Sequence, residues 1–168
     1  MLPASESIHF RMMISGNAFL MRRLPECLQY VAFEPARHAR AARDLLNLSF
    51  ADGGGEVLEF AEWWDALTED DEFDTDLCFA VETIGEGRLI AFAQCWISGF
   101  VKDLAVHPEF RGCGVGRTLM MKIFCEFARR GVDKVDLRAR RDNPSGAIQF
   151  YKSLGMQEIP QIAAADPF

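Results

Sequence analysis

The order of apolar patterns along the chain predicts an α/β fold with a mixed central sheet of about six to seven strands and about four flanking helices. Three observations carry this. Runs that alternate every second residue are interleaved with runs that repeat every three to four, so strands and helices share one chain. Three strand runs between Leu77 and Val106 follow one another through short turns, as antiparallel neighbours do. From Phe100 onward, a strand passes through a glycine-rich loop straight into an amphipathic helix.

Taken in order, residues 1–28 read as an extension ahead of a domain at 29–168. Ile8 to Met21 is apolar but interrupted by Arg11, Gly16 and Asn17, so it does not span a bilayer. It also lacks the charged start, unbroken apolar centre and small-residue cleavage site of a signal peptide. It reads as an extra strand, as an arm able to pack across a homodimer interface, or as residues upstream of a start at Met12, Met13 or Met21. Val31-Ala32-Phe33 is a short strand. Glu34-Pro35 leads a helix to about Phe50, with Ala41, Leu45 and Leu48 on its apolar face and Arg37, Arg40 and Arg43 elsewhere. Asp52-Gly53-Gly54-Gly55 breaks it. A second helix is expected from about Glu56 to Thr68, with Val57, Phe60 or Ala61, Trp64 and Leu67 inward; the acidic run Glu69 to Asp76 then reads as a solvated loop.

Leu77 to Thr83 alternates as a strand, Ile84-Gly85-Glu86-Gly87 turns, and Leu89 to Ile97 returns. Ser98-Gly99 leads tightly into the central strand from Phe100, which His107-Pro108 stops. The third helix runs from about Gly114 to Arg130 and is closed by Gly131. Val132 to Arg140 is a strand. Asn143 is the expected N-cap of a fourth helix, with Pro144 at its first position and Leu154 near its end. A last strand is expected near Gln157 to Ile162.

Size and composition bound the function. The chain has 168 residues, enough for one domain with its own core. A net charge of −7 disfavours nucleic acid and anionic membranes as partners and favours a cationic substrate. Its five cysteines, Cys27, Cys78, Cys95, Cys113 and Cys125, are odd in number and form no CxxC pair. They read as reduced thiols of a cytoplasmic protein, with no disulfide framework and no zinc site, and the three histidines are scattered.

The chemistry concentrates in Arg111-Gly112-Cys113-Gly114-Val115-Gly116-Arg117. Three glycines at alternate positions leave main-chain N–H groups unshielded, and the helix behind them adds its unpaired amides and positive dipole end. Such a loop holds an anion, most often a phosphate or pyrophosphate. A Walker loop needs Gly, four residues, then Gly-Lys-Ser/Thr, and no window supplies it. The dinucleotide spacing G-x-G-x-x-G puts its third glycine where Arg117 stands, so both fail.

R-G-C-G-V-G, preceded by D-L-A-V-H-P-E-F and followed by a helix, resembles the Arg/Gln-x-x-Gly-x-Gly/Ala signature of the GCN5-related N-acetyltransferases (GNAT). Asn143-Pro144-Ser145-Gly146-Ala147-Ile148-Gln149-Phe150-Tyr151-Lys152-Ser153-Leu154-Gly155-Met156 looks like the family's N-x-x-A-x-x-x-Y-x-x-x-G-F block, with Met for Phe. The resemblance covers about residues 31–160 and implies the GNAT fold, with a splayed pair of parallel strands. It implies acetyl-coenzyme A as cosubstrate, its pantetheine arm held by the main chain of Leu104, Ala105 and Val106. Its pyrophosphate would lie on Arg111, Gly112, Cys113, Gly114, Val115, Gly116 and Arg117, with Arg111 either binding phosphate or fixing the turn. Asn143 and Ala147 are the implied coenzyme contacts of the second block.

The same resemblance implies that Tyr151 protonates the departing thiolate, a role its residue type suits because a phenol of pKa about 10 is protonated at neutral pH; the alternative is a core aromatic. The acceptor is then a primary amine, only about one part in a thousand neutral at pH 7, so a base is needed. Asp103 is the candidate, either as base or as cation site, since Lys102 stands where some relatives place a Glu. Trp63, Trp64 and Trp96 are candidates for lining the acceptor pocket, and His107 reads as structural. The expected function is direct acetyl transfer to a small cationic amine in a ternary complex. A protein or peptide N-terminal or lysine acetyltransferase and a non-catalytic coenzyme A sensor are the alternatives.

Overall fold

A computed structural model describes residues 7–51 and 57–160 of the chain. Its elements in chain order are β1 (Ser7–Met13), β2 (Leu28–Ala32), α1 (Pro35–Phe50), α2 (Phe60–Thr68), β3 (Cys78–Thr83), β4 (Leu89–Cys95), β5 (Phe100–Val106), α3 (Val115–Arg129), β6 (Lys134–Arg140), α4 (Ala147–Ser153) and β7 (Gln157–Ile159). The seven strands form one mixed sheet in the order β2-β3-β4-β5-β6-β1-β7. Fold class, strand number and helix number agree with the sequence reading. Asp52 to Gly55 and Glu56, expected to break α1 and start α2, lie outside the described residues, as do the positions beyond Pro160.

The feature that positions the site is a parting of two strands. β5 and β6 are parallel and pair only at Phe100↔Asp136 and Val101↔Leu137. Beyond that the two strands part, while on its other edge β6 stays paired with β1, antiparallel from Ser7↔Arg140 to Met13↔Lys134. Residues 7–13 are therefore a strand within the sheet. Ile8 and Phe10 are buried in the core, and Arg11 donates twice to Asp136, 2.8 Å at each oxygen. A chain beginning at Met12, Met13 or Met21 would lack this strand and the burial of Phe10, worth about 2–3 kcal/mol.

Two cores lie on the two faces of the sheet. On one, α3 buries Val115, Leu119, Met120, Ile123, Phe124 and Phe127, and the start of α4 packs beside it. Gly131, at φ +72, closes α3: its N–H reaches the Ala128 carbonyl and that of Val132 reaches Phe127, so the last carbonyls are satisfied. On the other face, α1 and α2 cover β3 to β5 around Ala42, Leu46, Trp63, Leu67 and Phe92.

Several expected faces and boundaries shift. The buried residues of α1 are His38, Ala39, Ala42, Arg43, Leu45 and Leu46, while Leu48 is 46% exposed. Arg43, expected among the outward arginines, lies on the covered face, with its guanidinium 5.2 Å from the Trp63 ring. In α2 the buried positions are Trp63 and Leu67; Val57 is exposed and Trp64 stacks partly buried on Phe60. The helix is only nine residues long, so the apolar run alone does not fix its inner face. In the acidic run, Asp74 pairs with Arg130 at 2.9 Å and Glu72 accepts the Ser98 N–H, which docks the loop locally.

Candidate active site

A cleft of about 730 Å³ runs through the gap between β5 and β6 and opens on both faces of the sheet. At its centre the strand alternation decides which main-chain groups are available. The His107 N–H donates to the Ile90 carbonyl, toward β4. Ala105, two residues earlier and opposite Phe92, also turns its main chain toward β4. Leu104 and Val106 turn theirs the other way, into the gap. Of the three expected main-chain contacts, Leu104 presents its N–H and carbonyl there and Val106 its N–H, the Val106 carbonyl being held by Arg111, whereas the main chain of Ala105 faces β4.

At the α3 end, each glycine has its own reason. Gly112 and Gly114 sit at φ +78 and +85, where residues with a side chain are strained, and a Cβ on either would enter open space. Gly114 is the N-cap of α3 and carries no side-chain cap. Gly116 leaves room for its neighbours: a Cβ there would lie 3.4 Å from the Phe150 ring and 3.7 Å from Val106. The result is a concave run of bare N–H groups at the positive end of a 15-residue helix. Val115 is buried beneath it.

The side chains of this loop are tied to neighbouring parts of the chain. Arg111 donates from Nε to the Val106 carbonyl at 3.0 Å, a contact that fixes the turn, and it also lines the cleft. Arg117 donates to Ser153 Oγ at 2.7 Å and so ties α3 to α4. Cys113 turns its thiol to the Phe110 carbonyl at 2.8 Å and is not among the residues lining the cleft. His107 accepts the Glu109 N–H and meets Arg88, a structural placement.

The second block is organised differently from the expectation. Asn143 does not cap α4: its side chain accepts from the Ser145 N–H at 2.8 Å and from the Ser145 hydroxyl, within a turn. The helix begins three residues later, with Gly146 as N-cap at φ +78 and Ala147 as its first residue. Tyr151 lies eight positions past Asn143. Asn143 and Ala147 both line the cleft. At the other end, Gly155 at φ +90 and Met156 donate to the carbonyls of Lys152 and Tyr151, and Met156 is buried. This closure anchors Tyr151 by its own carbonyl. Its ring packs 5.8 Å from Phe10 and 5.3 Å from Phe150, and it lines the cleft; burial pushes the phenol up to about 12.

The α1 end is built from side chains. Asp103 is 9% exposed and accepts from Lys102 Nζ at 3.0 Å. A shift of register between Gln94 and Cys95 brings Lys102 and Asp103 together on the α1 face. Arg43, Ser49, Phe50 and Leu58 line this end, and Arg138 and Arg140 on β6 form the opposite wall. The hydroxyl of Ser49 is buried without a hydrogen-bond partner. None of Trp63, Trp64 and Trp96 lines the cleft. The buried thiols beside Asp103 are no nucleophiles: desolvation pushes Cys78 up to about 12 and raises Cys95 well above its ordinary value.

Arg43, Ser49 and Arg138 were not identified from sequence. The one available sign was that Arg43 stands in register with Ala39 and Leu46 on the helix, on the stripe that packs inward.

Comparison with known proteins agrees with this geometry. The profile of the acetyltransferase (GNAT) family matches residues 39–156. The chain is 30% identical over 142 residues to mycothiol acetyltransferase of Thermobispora bispora, covering 79% of this chain and 47% of that protein. Over 75 residues it is 33% identical to the ribosomal protein bS18 alanine N-acetyltransferase of Escherichia coli, 43% of this chain and 50% of that one. A GCN5-related N-acetyltransferase structure from Sphaerobacter thermophilus superposes with a TM-score of 0.76 at 19% identity, covering 91% and 48% of the two chains. The chain spans half or less of the length of these three proteins. It belongs to the acetyltransferase (GNAT) family.

Proposed function

We propose that the chain transfers the acetyl group of acetyl-coenzyme A to a primary amine by direct attack, with both substrates held in the cleft between β5 and β6. The observation that carries this is the parting of those strands immediately beside the bare loop Gly112–Gly116: an extended amide-bearing arm fits the free edge of β5, and its diphosphate fits the loop. The thioester then lies near Asp103 and Tyr151, reached from the α3 face, while the α1 face stays open to the acceptor.

The ammonium of the acceptor faces Asp103, which takes its proton directly or through water. The amine nitrogen bonds to the thioester carbon as the carbon–sulfur bond breaks, and the second proton that this nitrogen then sheds ends on the departing sulfur, directly or through water. Main-chain N–H groups in the gap support the oxygen of the carbonyl. Tyr151 donates its phenol hydrogen to the leaving sulfur. Complete proton transfer from a phenol at about 12 to a thiolate of pKa about 8.5 is uphill by about 5 kcal/mol, so hydrogen-bond donation during bond cleavage is its main contribution.

Small amines are the favoured acceptors. A second reading, transfer to a peptide N-terminus, draws on the similarity to the bS18 alanine acetyltransferase. Release of coenzyme A thiol measured across amines, polyamines and peptides tests both. Binding of coenzyme A with no thiol release from any acceptor would leave only a sensor.

A further inference from the structure

The charge of the cleft is opposite to that of the chain. The protein carries −7 overall, yet six basic side chains line the cleft and Asp103 is the one carboxylate among its described lining residues. Most of those cations have local partners. Arg111 holds the Val106 carbonyl, Arg117 holds Ser153, Arg140 is paired with Asp142, and Lys102 is paired with Asp103. Arg43 is buried over Trp63.

Arg138 differs. It is exposed and has no hydrogen bond or ion pair among the described residues. It lies between Leu137 and Ala139 on β6, both of which turn into the α3-side core, so Arg138 projects from the α1 face. There the register Val101↔Leu137 sets it across the mouth of the gap from Lys102 and Asp103. The nearby Ser49 hydroxyl is buried without a partner, so the same end also has an unused polar group. A bare polyamine entering here would meet Asp103 but also Arg43, Lys102 and Arg138, and like charges oppose it.

Resting on the acetyl-transfer reading above, we propose that the acceptor is an amino acid type of molecule, with a carboxylate close to its amine. Asp103 faces the ammonium on the β5 wall and Arg138 binds the carboxylate on the β6 wall. A guanidinium suits a carboxylate because its planar pair of N–H donors matches the two oxygens.

The test uses the full chain and acetyl-coenzyme A, with each L-amino acid compared with its carboxamide and its decarboxylated amine by thiol release. The carboxylates should lead their counterparts in kcat/KM on the order of 10- to 100-fold, the scale of a charge-assisted contact. Arg138→Gln should collapse that ratio toward one, chiefly through KM, and Arg138→Lys should restore part of it. Equal or better use of the decarboxylated amines or of peptides by the wild-type chain would overturn the inference and leave acetyl transfer standing. So would an Arg138→Gln variant that keeps the full ratio. Thiol release from no acceptor at all would overturn both.

Discussion

At the α3 end of the cleft the ligand space is faced by main-chain groups of Gly112 to Gly116; at the α1 end it is faced by the side chains of Arg43, Lys102, Asp103 and Arg138. The first end is one continuous stretch of chain whose arginines are engaged in holding the loop and the neighbouring helix. The second draws on α1, β5 and β6, which are far apart in sequence. A ligand common to many relatives can be held by backbone, which every sequence supplies. A ligand that differs among relatives has to be read by side chains, which substitution can change without disturbing the loop. The cleft thus separates a general half from a specific half, joined where β5 and β6 part.

The separation can be broken most severely at Gly114. Gly114→Glu sets bulk and negative charge in the anion site and should weaken coenzyme A binding by more than about 100-fold by calorimetry, a loss of about 3 kcal/mol or more. Gly114→Ala controls for backbone strain at φ +85, which costs about 1–2 kcal/mol; comparable binding losses in both variants would show that strain, and not an anion site, is what the glycine relieves.

Tyr151→Phe should lower kcat about 10- to 100-fold and change coenzyme A affinity less than about twofold, since the hydroxyl acts on bond cleavage. An unchanged kcat would remove Tyr151 from the chemistry and leave it as packing against Phe10 and Phe150.

Asp103→Asn touches the specific half. Without the carboxylate, transfer must use amine that is already neutral. Its rate should therefore climb about tenfold per pH unit from pH 7 toward the amine pKa of about 10, while the wild type climbs less steeply. Parallel profiles would make Asp103 a binding group only.

The smallest effect is expected outside both halves. Glu126 is held at about 2 by hydrogen bonds from Arg129 and then Arg130, against the opposing cost of desolvation. A lowered carboxyl stabilises the fold above its unfolded value of about 4.3, and that contribution is lost as pH falls toward 2. Glu126→Gln should therefore reduce thermal stability at pH 7 by about 1 kcal/mol, with the difference vanishing near pH 2 and with coenzyme A affinity unchanged. A weakened affinity would show that the C-terminal turn of α3 is coupled to its N-terminus.

Legibility followed the same division. The loop could be read because alternate glycines between a strand and a helix have few other uses, and the order of elements followed from their periods. Position within a helix was read less well. Asn143 and Pro144 carry a strong N-cap signal, yet Gly146 takes the αL position and starts α4 at Ala147, because the two blocks must meet where Phe150 lies against Gly116. Arg43 and Trp63 on the covered faces of α1 and α2 contradict the simplest apolar stripes. Those stripes ignore that a guanidinium can be buried over an indole.

The sequence alone determined the family, the sheet with its helices, and a loop of bare main-chain N–H groups ahead of α3, since each depends on local spacing that neighbouring residues enforce. Only the tertiary structure decided that residues 7–13 belong inside the sheet, that Ala105 turns its main chain away from the gap, and that Arg138 stands across it from Asp103. Those facts depend on how strands register and part, and register is set by contacts between segments that are separate in the sequence, which no local pattern records.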